Sequence, residues 1–230
     1  GYDFNHESPE TQRFVDRVTA FWLSEFHVDG FRFDLSKGFT QRFSGNNVGA
    51  WSAYDASRIA ILERMADAVW SVDSTAYVIL EHFADNNEEK ELAAYGMMLW
   101  GNMNTAYSQS SMGYLEDPAR SSDLSWGYYK RREWTRPLLV TYMESHDEPR
   151  LMYKNLMYGF SHAAYNIRHL STALDRVKLS SVFFLTLPGP KMIWQFGELG
   201  YDQYLPESGY ERTAPQPILW EYYGQAERLG

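Results

Sequence analysis

Apolar positions recur at two different periods near the start of the chain. Phe14, Val15, Val18, Phe21, Trp22 and Leu23 fall at helical spacing. Ser8-Pro9-Glu10 precedes them, supplying an N-cap, a proline suited to the first helical position and an acid for the first turn. The spacing predicts an amphipathic helix running to about Ser24 or Glu25. Over residues 28–35 the period becomes two. Phe31, Phe33 and Leu35 alternate with Arg32 and Asp34, which predicts a short strand with unlike faces after Gly30 and before the loop at Ser36-Lys37-Gly38.

The alternation of helix and strand continues. Residues 36–54 are loop-like, rich in Gly and Asn. Ile59, Leu62, Met65, Ala66 and Val69 predict a helix over 56–70, broken at Asp73-Ser74. A nearly all-apolar strand follows at 77–81, ending in Glu81, then a short helix at 88–94 and a strand at 96–100. Residues 101–123 carry no clear period. A strand at 138–142 leads into Met143-Glu144-Ser145-His146-Asp147-Glu148. A long helix is expected over 162–185, stopped by Pro188-Gly189-Pro190, and a last strand over 191–196 opens at Gly197-Glu198. The Pro-, Gly- and Tyr-rich tail from Tyr201 is expected to coat the surface. There is no internal repeat. Helices alternating with short apolar strands indicate an α/β fold with a parallel sheet. Acids cluster at strand ends, which is the active face of a (β/α)8 barrel. A doubly wound open sheet shares the alternation, but no Gly-rich phosphate loop follows any strand.

Composition narrows the partners. A net charge of −9 disfavours a polyanion such as nucleic acid. No apolar run is long enough to span a bilayer. The absence of cysteine removes thiolate nucleophiles and Cys-based zinc sites and leaves the compartment open. Aromatic residues make up 17% of the chain, and flat rings of this kind stack on sugar faces as readily as they fill a core. Trp100, Tyr107 and Trp194 are the candidate platforms, with core packing favoured for Trp194. His162 and His169 are seven apart on the expected long helix, and nothing nearby completes a metal site.

The chemistry concentrates in Arg32 and Asp34. A guanidinium beside a carboxylate favours the ionised form, which suits a nucleophile. Alone, such a pair reads first as a structural ion pair, and singly Glu81 reads equally as a solvated strand end, Asp147 as a helix N-cap and His146 as a core histidine. The ordered set is more specific than its members. Gly30-Phe31-Arg32-Phe33-Asp34 resembles the nucleophile strand of the alpha-amylase family of retaining glycoside hydrolases. Leu80-Glu81-His82 resembles its acid/base strand end, Ser145-His146-Asp147 its His-Asp motif, and residues 187–198 its last barrel strand.

That resemblance, over about residues 1 to 200, implies the C-terminal part of a (β/α)8 TIM barrel. It implies retaining cleavage of α-glucosidic bonds in starch- or glycogen-like α-glucan, with Asp34 as nucleophile, Glu81 as acid/base and Asp147 stabilising the transition state. It also implies substrate contacts from Arg32, His146, Lys37 and His82. Glu144, Glu148 and Glu198 read as rim charges or caps. The chemistry requires no cofactor and no metal is assigned; Gly38 stands where many members have a His linked to structural calcium, and Ser145 where many have Asn. The Asp-x-x-x-Asn-His motif of the third barrel strand is missing, and Asp3-Phe4-Asn5-His6 reads as the lead-in to a helix instead. Residues 1–230 are therefore expected to be one partial catalytic domain, with barrel strands four to eight and neither the first three strands nor the C-terminal β-domain. Its open sheet edges invite self-association. The rivals are a branching enzyme or other glucanotransferase, which shares the first half-reaction, and a glucan-binding fragment without turnover.

Overall fold

The computed structural model describes residues 4–115, 122–205 and 214–229. Asp3 of the lead-in segment, residues 116–121 of the stretch without clear period, and 206–213 of the tail lie outside the described residues.

The strands are β1 (Gly30–Phe33), β2 (Tyr77–Leu80), β3 (Met98–Asn102), β4 (Leu139–Tyr142), β5 (Ser161–His162), β6 (Tyr165–Asn166) and β7 (Lys191–Met192). The helices are α1 (Pro9–Phe26), α2 (Val48–Ser52), α3 (Ala56–Val72), α4 (Asn86–Tyr95), α5 (Asn104–Ser111), α6 (Leu151–Tyr158) and α7 (Leu170–Thr186). Five strands form a parallel sheet in the order β1-β2-β3-β4-β7, and β5 and β6 form a separate antiparallel hairpin. Parallel strands alternating with helices make this the partial (β/α)8 arrangement expected from the sequence. The chain divides into two compact units, Gly1–Trp100 with Tyr129–Val140, and Gly101–Tyr128 with Thr141–Gly230.

In the first unit α1 starts as its sequence dictates, with the Ser8 side chain accepting from the Glu10 N–H and Pro9 in the first turn. Phe4–His6 lead into it, Asn5 Oδ1 accepting from the Glu7 N–H and the His6 ring stacking on Phe39. Asp55 caps α3 and Asp85 caps α4. The core gathers Leu62, Ala66 and Val69 of α3, Val78 and Leu80 of β2, Leu92 of α4, and Leu99 with Trp134. Gly30 is obligatory: its φ is +155°, and a Cβ there would lie 2.3 Å from the Tyr77 carbonyl oxygen. In the second unit Met103, Tyr107, Leu151 and Phe184 form one cluster and Met152, Ala173 and Leu174 another.

Several expectations are corrected. Leu35 does not continue β1. The strand ends at Phe33, and Leu35 adopts a left-handed backbone at φ 42° so that its N–H reaches the Glu81 carboxylate. The strand expected at 96–100 begins at Met98, because Gly96, at φ +136°, closes α4. The helix expected over 162–185 starts only at Leu170. His162 lies in the hairpin and His169 caps α7, so the two histidines do not share a helix face. Helices α5 and α6 were not read from the sequence. The last strand covers only Lys191–Met192, the chain then turning through Phe196 at φ 59°. The tail does more than coat the surface: Tyr201 and Tyr222 join Phe196 and Leu199 in a buried cluster.

Two predictions follow from this packing. Gly30→Ala should cost about 3 kcal/mol or more, since both a positive φ and a backbone clash oppose the new Cβ; a loss below about 1 kcal/mol in a urea titration would contradict the geometry. Glu89 is buried against Arg132 (Nη1 to Oε2 2.9 Å), and burial lifts its carboxyl from 4.5 to about 7. A folded pKa above the unfolded one means the native state holds an extra proton between those values. This contribution to stability is complete below about pH 4.5 and is lost as pH rises through about 7. Glu89→Gln should therefore gain relative to the parent chain as denaturation is measured at pH 5, 6, 7 and 8; a constant difference across the series would be the contrary result.

Candidate active site

Asp34 follows the C-terminal end of β1 and Glu81 that of β2, two neighbouring parallel strands in register with Phe33 opposite Leu80. Parallel pairing thus delivers both carboxyls to the same end of the first unit's sheet. Arg32, on β1, holds them both: Nη1 donates to Asp34 Oδ1 at 2.5 Å, and Nη2 lies 2.8 Å from Glu81 Oε2. Its guanidinium lies over the Trp100 ring, 4.1 Å from the centroid. The sequence paired Arg32 with Asp34 alone; the structure shares it between two acids.

The acids differ in their access to water. The Asp34 side chain is 76% exposed and that of Glu81 only 8%. Burial pushes the Glu81 carboxyl above its ordinary range. The Leu35 N–H, donating to Oε2 at 2.9 Å, and the charge of Arg32 oppose that rise, while a side-chain hydrogen bond with Asp34 and its charge add to it.

Behind Glu81 lies a polar network the sequence did not reveal. Ser36 gives its N–H to the Glu81 carbonyl at 2.8 Å, and its hydroxyl is 3.1 Å from the same oxygen and 2.9 Å from His82 Nδ1. His82 Nε2 is 2.8 Å from Glu88 Oε1, and Glu88 takes two hydrogen bonds from Arg58, at 2.6 and 2.7 Å. His82, Glu88 and Arg58 are all buried. His82 is therefore corrected from a substrate contact to a buried member of this network, because both ring nitrogens are engaged inside the protein. Lys37 is likewise nearly buried, its ammonium 4.4 Å from the Trp51 ring centroid and 3.3 Å from Ser52 Oγ. One signal in the sequence pointed to the network: Arg58 interrupts an apolar helix face beside Ile59, where a solvated charge is out of place.

In the second unit, Asp147 and His146 follow the end of β4. The Asp147 N–H donates to Ser145 Oγ at 3.1 Å, and His146 Nε2 lies 3.5 Å from Asp147 Oδ2. The His146 ring is half-exposed and lies 5.6 Å from that of Trp194. Ser145 and Asn102 both hydrogen-bond Glu148. Glu144 is not a rim charge. It is buried, taking hydrogen bonds from Arg150 Nη1 at 2.9 Å and from the Leu151 N–H at the start of α6 at 2.8 Å. Trp100 and Tyr107 are not sugar platforms either: the first is covered by Arg32, and the second is fully buried edge-on against Phe184. Among the described residues no group of three His, Asp or Glu is arranged to hold a metal ion, and no helix is long and apolar enough to cross a membrane.

Parallel strands alternating with helices and carrying carboxyls at their ends match a barrel-type fold, and similarity to known proteins is specific. A family model of the alpha amylase catalytic domain matches residues 2–227. The chain belongs to the alpha-amylase family. It is 25% identical over 221 residues to a 1,4-alpha-glucan branching enzyme of Desulfitobacterium hafniense (strain Y51), covering 86% of this chain and 32% of that enzyme. A 1,4-alpha-glucan branching enzyme of Geobacillus stearothermophilus is 24% identical over 208 residues, with 86% and 30% covered. The chain thus spans about a third of the length of these curated relatives. Among solved structures, an alpha-amylase from Geobacillus thermoleovorans in complex with acarbose matches with a TM-score of 0.62 at 18% identity, over 99% of this chain and 45% of that one. An alpha-amylase from H. orenii matches at 0.61 and 18%, over 90% and 38%. At these identities the structural likeness is one of fold.

The shared guanidinium generates a prediction. Its charge lowers the Glu81 pKa, so Arg32→Gln should raise the midpoint at which Glu81 titrates, followed by carboxyl carbon NMR. A midpoint that stays put or falls would show that Arg32 does not act on Glu81.

Proposed function

We propose that this chain carries the nucleophile and the general acid of a retaining enzyme that cleaves α-glucosidic bonds in starch- or glycogen-like glucans. The observation that supports this most directly is the Arg32-bridged pair of carboxyls, one open to water and one desolvated. Retaining cleavage needs an ionised carboxylate on one side of the anomeric carbon and a protonated one beside the leaving oxygen. Asp34 attacks the anomeric carbon as the Glu81 proton passes to the leaving oxygen and the glycosidic bond breaks. Glu81, now a carboxylate, then takes a proton from the incoming hydroxyl, whose oxygen displaces Asp34 and frees the enzyme. Asp147 and His146 have the sugar-hydroxyl-binding role that the His-Asp motif implies. Lys37 and His82, being buried, are left out of the substrate contacts.

Water as the second-step acceptor makes the enzyme a hydrolase. A sugar hydroxyl is the alternative, favoured by the two branching enzymes among the relatives. We further propose that residues 1–230 form part of one larger catalytic barrel, so that activity belongs to the full-length polypeptide.

The test is to incubate that polypeptide with amylose and follow reducing ends alongside α-1,6 branch points. Hydrolysis raises reducing ends. Branch points that accumulate without them would reject hydrolysis and establish transfer. Asp34→Asn should abolish both products, since both routes share the covalent step; a variant with the parental rate would remove Asp34 from the mechanism.

A further inference from the structure

His82 and Ser36 have no place in the chemistry just described, yet they are fully buried immediately beside it. Ser36 follows Leu35, whose left-handed backbone (φ 42°, ψ 45°) is a conformation that leucine adopts only under constraint. That turn grips Glu81 at both ends. The Leu35 N–H donates to the side chain at 2.9 Å and the Ser36 N–H to the main-chain carbonyl at 2.8 Å. Besides its own backbone hydrogen bonds, the turn is tied through the Ser36 hydroxyl, 2.9 Å from His82 Nδ1 and 3.1 Å from the Glu81 carbonyl. The imidazole is held in turn at Nε2 by Glu88, which Arg58 fixes with two hydrogen bonds.

The tautomer follows from the partners. Burial lowers the His82 pKa, which keeps the ring neutral, and the Arg58-bound Glu88 carboxylate offers only acceptors. Nε2 therefore carries the proton and donates to Glu88, which leaves Nδ1 as an acceptor facing the Ser36 hydroxyl, whose one proton it shares with the Glu81 carbonyl 3.1 Å away.

We propose that His82 is a positioning residue which, through Ser36, locks the Leu35 turn so that its N–H stays on the Glu81 carboxylate. The proposal rests on the reading of Glu81 as the acid for its catalytic meaning, but not for its test. Releasing the turn withdraws a donor from the carboxylate, which favours the protonated form. A residue that only filled space would leave the Glu81 titration where it was.

The experiment is carried out on the whole chain. In the unaltered protein the Leu35 amide should be protected from hydrogen exchange; exchange at the rate of an open loop would overturn the proposal without any variant. The Glu81 carboxyl is then titrated by carboxyl carbon NMR in Ser36→Ala, His82→Leu and His82→Asn. Ser36→Ala and His82→Leu should each move the midpoint up by about half a pH unit or more. His82→Asn keeps an acceptor near the place of Nδ1 and should restore part of the shift. An unmoved midpoint in folded Ser36→Ala, the mildest change, overturns the proposal. In the full-length enzyme the alkaline limb of the pH–rate profile should follow the same displacement. If the NMR midpoint moves and that limb does not, the positioning role stands and the assignment of Glu81 as the acid falls.

Discussion

The first unit depends on the buried ion pair between Arg58 and Glu88. The loop from Leu35 to Asp55 has little apolar anchorage of its own: Phe43 is 94% exposed and Val48 64%. Arg58 replaces that missing core with hydrogen bonds. Nη1 donates to the carbonyls of Lys37 and Trp51 at 2.9 and 3.0 Å, Nη2 to that of Ala53 at 3.1 Å, and Nε and Nη2 to Glu88. All five guanidinium protons have acceptors within reach. Glu88 in return takes the Asp55 N–H at 2.9 Å, just where α3 is capped. Two buried charges cost several kcal/mol each in lost hydration, and only full hydrogen bonding offsets that. A pair satisfied on every side is more a device for shaping the loop than a source of net stability.

The same economy recurs where the backbone is strained. Leu35, whose N–H reaches the Glu81 carboxylate, and Phe83, two residues after Glu81, have φ of 42° and 53°. Left-handed non-glycine residues cost on the order of 1–3 kcal/mol each. In both places a carboxylate receives main-chain N–H groups: Glu81 that of Leu35, Glu89 those of Phe83 and Ala84. Glu88 and Glu89, adjacent in the first turn of α4, divide the work between the Ser36–His82 side and the loop that follows Glu81. One helix terminus thus fixes the segment on which the candidate acid is carried.

How much of this was legible in the sequence depended on the range of the interaction. Helices α1 and α3 and strands β1, β2 and β4 were readable because periodicity and capping act within a few residues, as at Ser8-Pro9 and across Ile59–Val69. The helix read over 162–185 starts only at Leu170 because the residues before it pair as a hairpin, a choice made by contacts such as Ile167 N–H to the Phe160 carbonyl. Asp34, Glu81 and Arg32 were readable as members of an ordered motif. That Arg32 serves both acids was not, since the register of β1 on β2 decides it. His82 was misjudged for the same reason: its partner Ser36, and the Arg58 that fixes its other partner Glu88, are far from it in sequence. Trp100 and Tyr107 show that an aromatic residue near a strand end says nothing about which side it faces.

A cation shared by two acids raises a difficulty that burial resolves. Arg32 stabilises the charged form of whichever carboxylate it touches, and on its own it would draw both acids toward ionisation. Retaining cleavage needs them in opposite states. The distinction must come from something that treats the two unequally, and Arg32 does not. Solvent access does: lost hydration is the largest influence on Glu81, and with the neighbouring Asp34 it raises the pKa despite Arg32 and the Leu35 N–H. The charge of the neighbouring Asp34 adds to that rise. In the proposed reaction Arg32 limits that rise instead of selecting the nucleophile, which leaves Glu81 able to give up its proton to the leaving oxygen. In the proposed reaction the division of roles follows from the burial of Glu81 at the end of β2, and the arginine limits its extent.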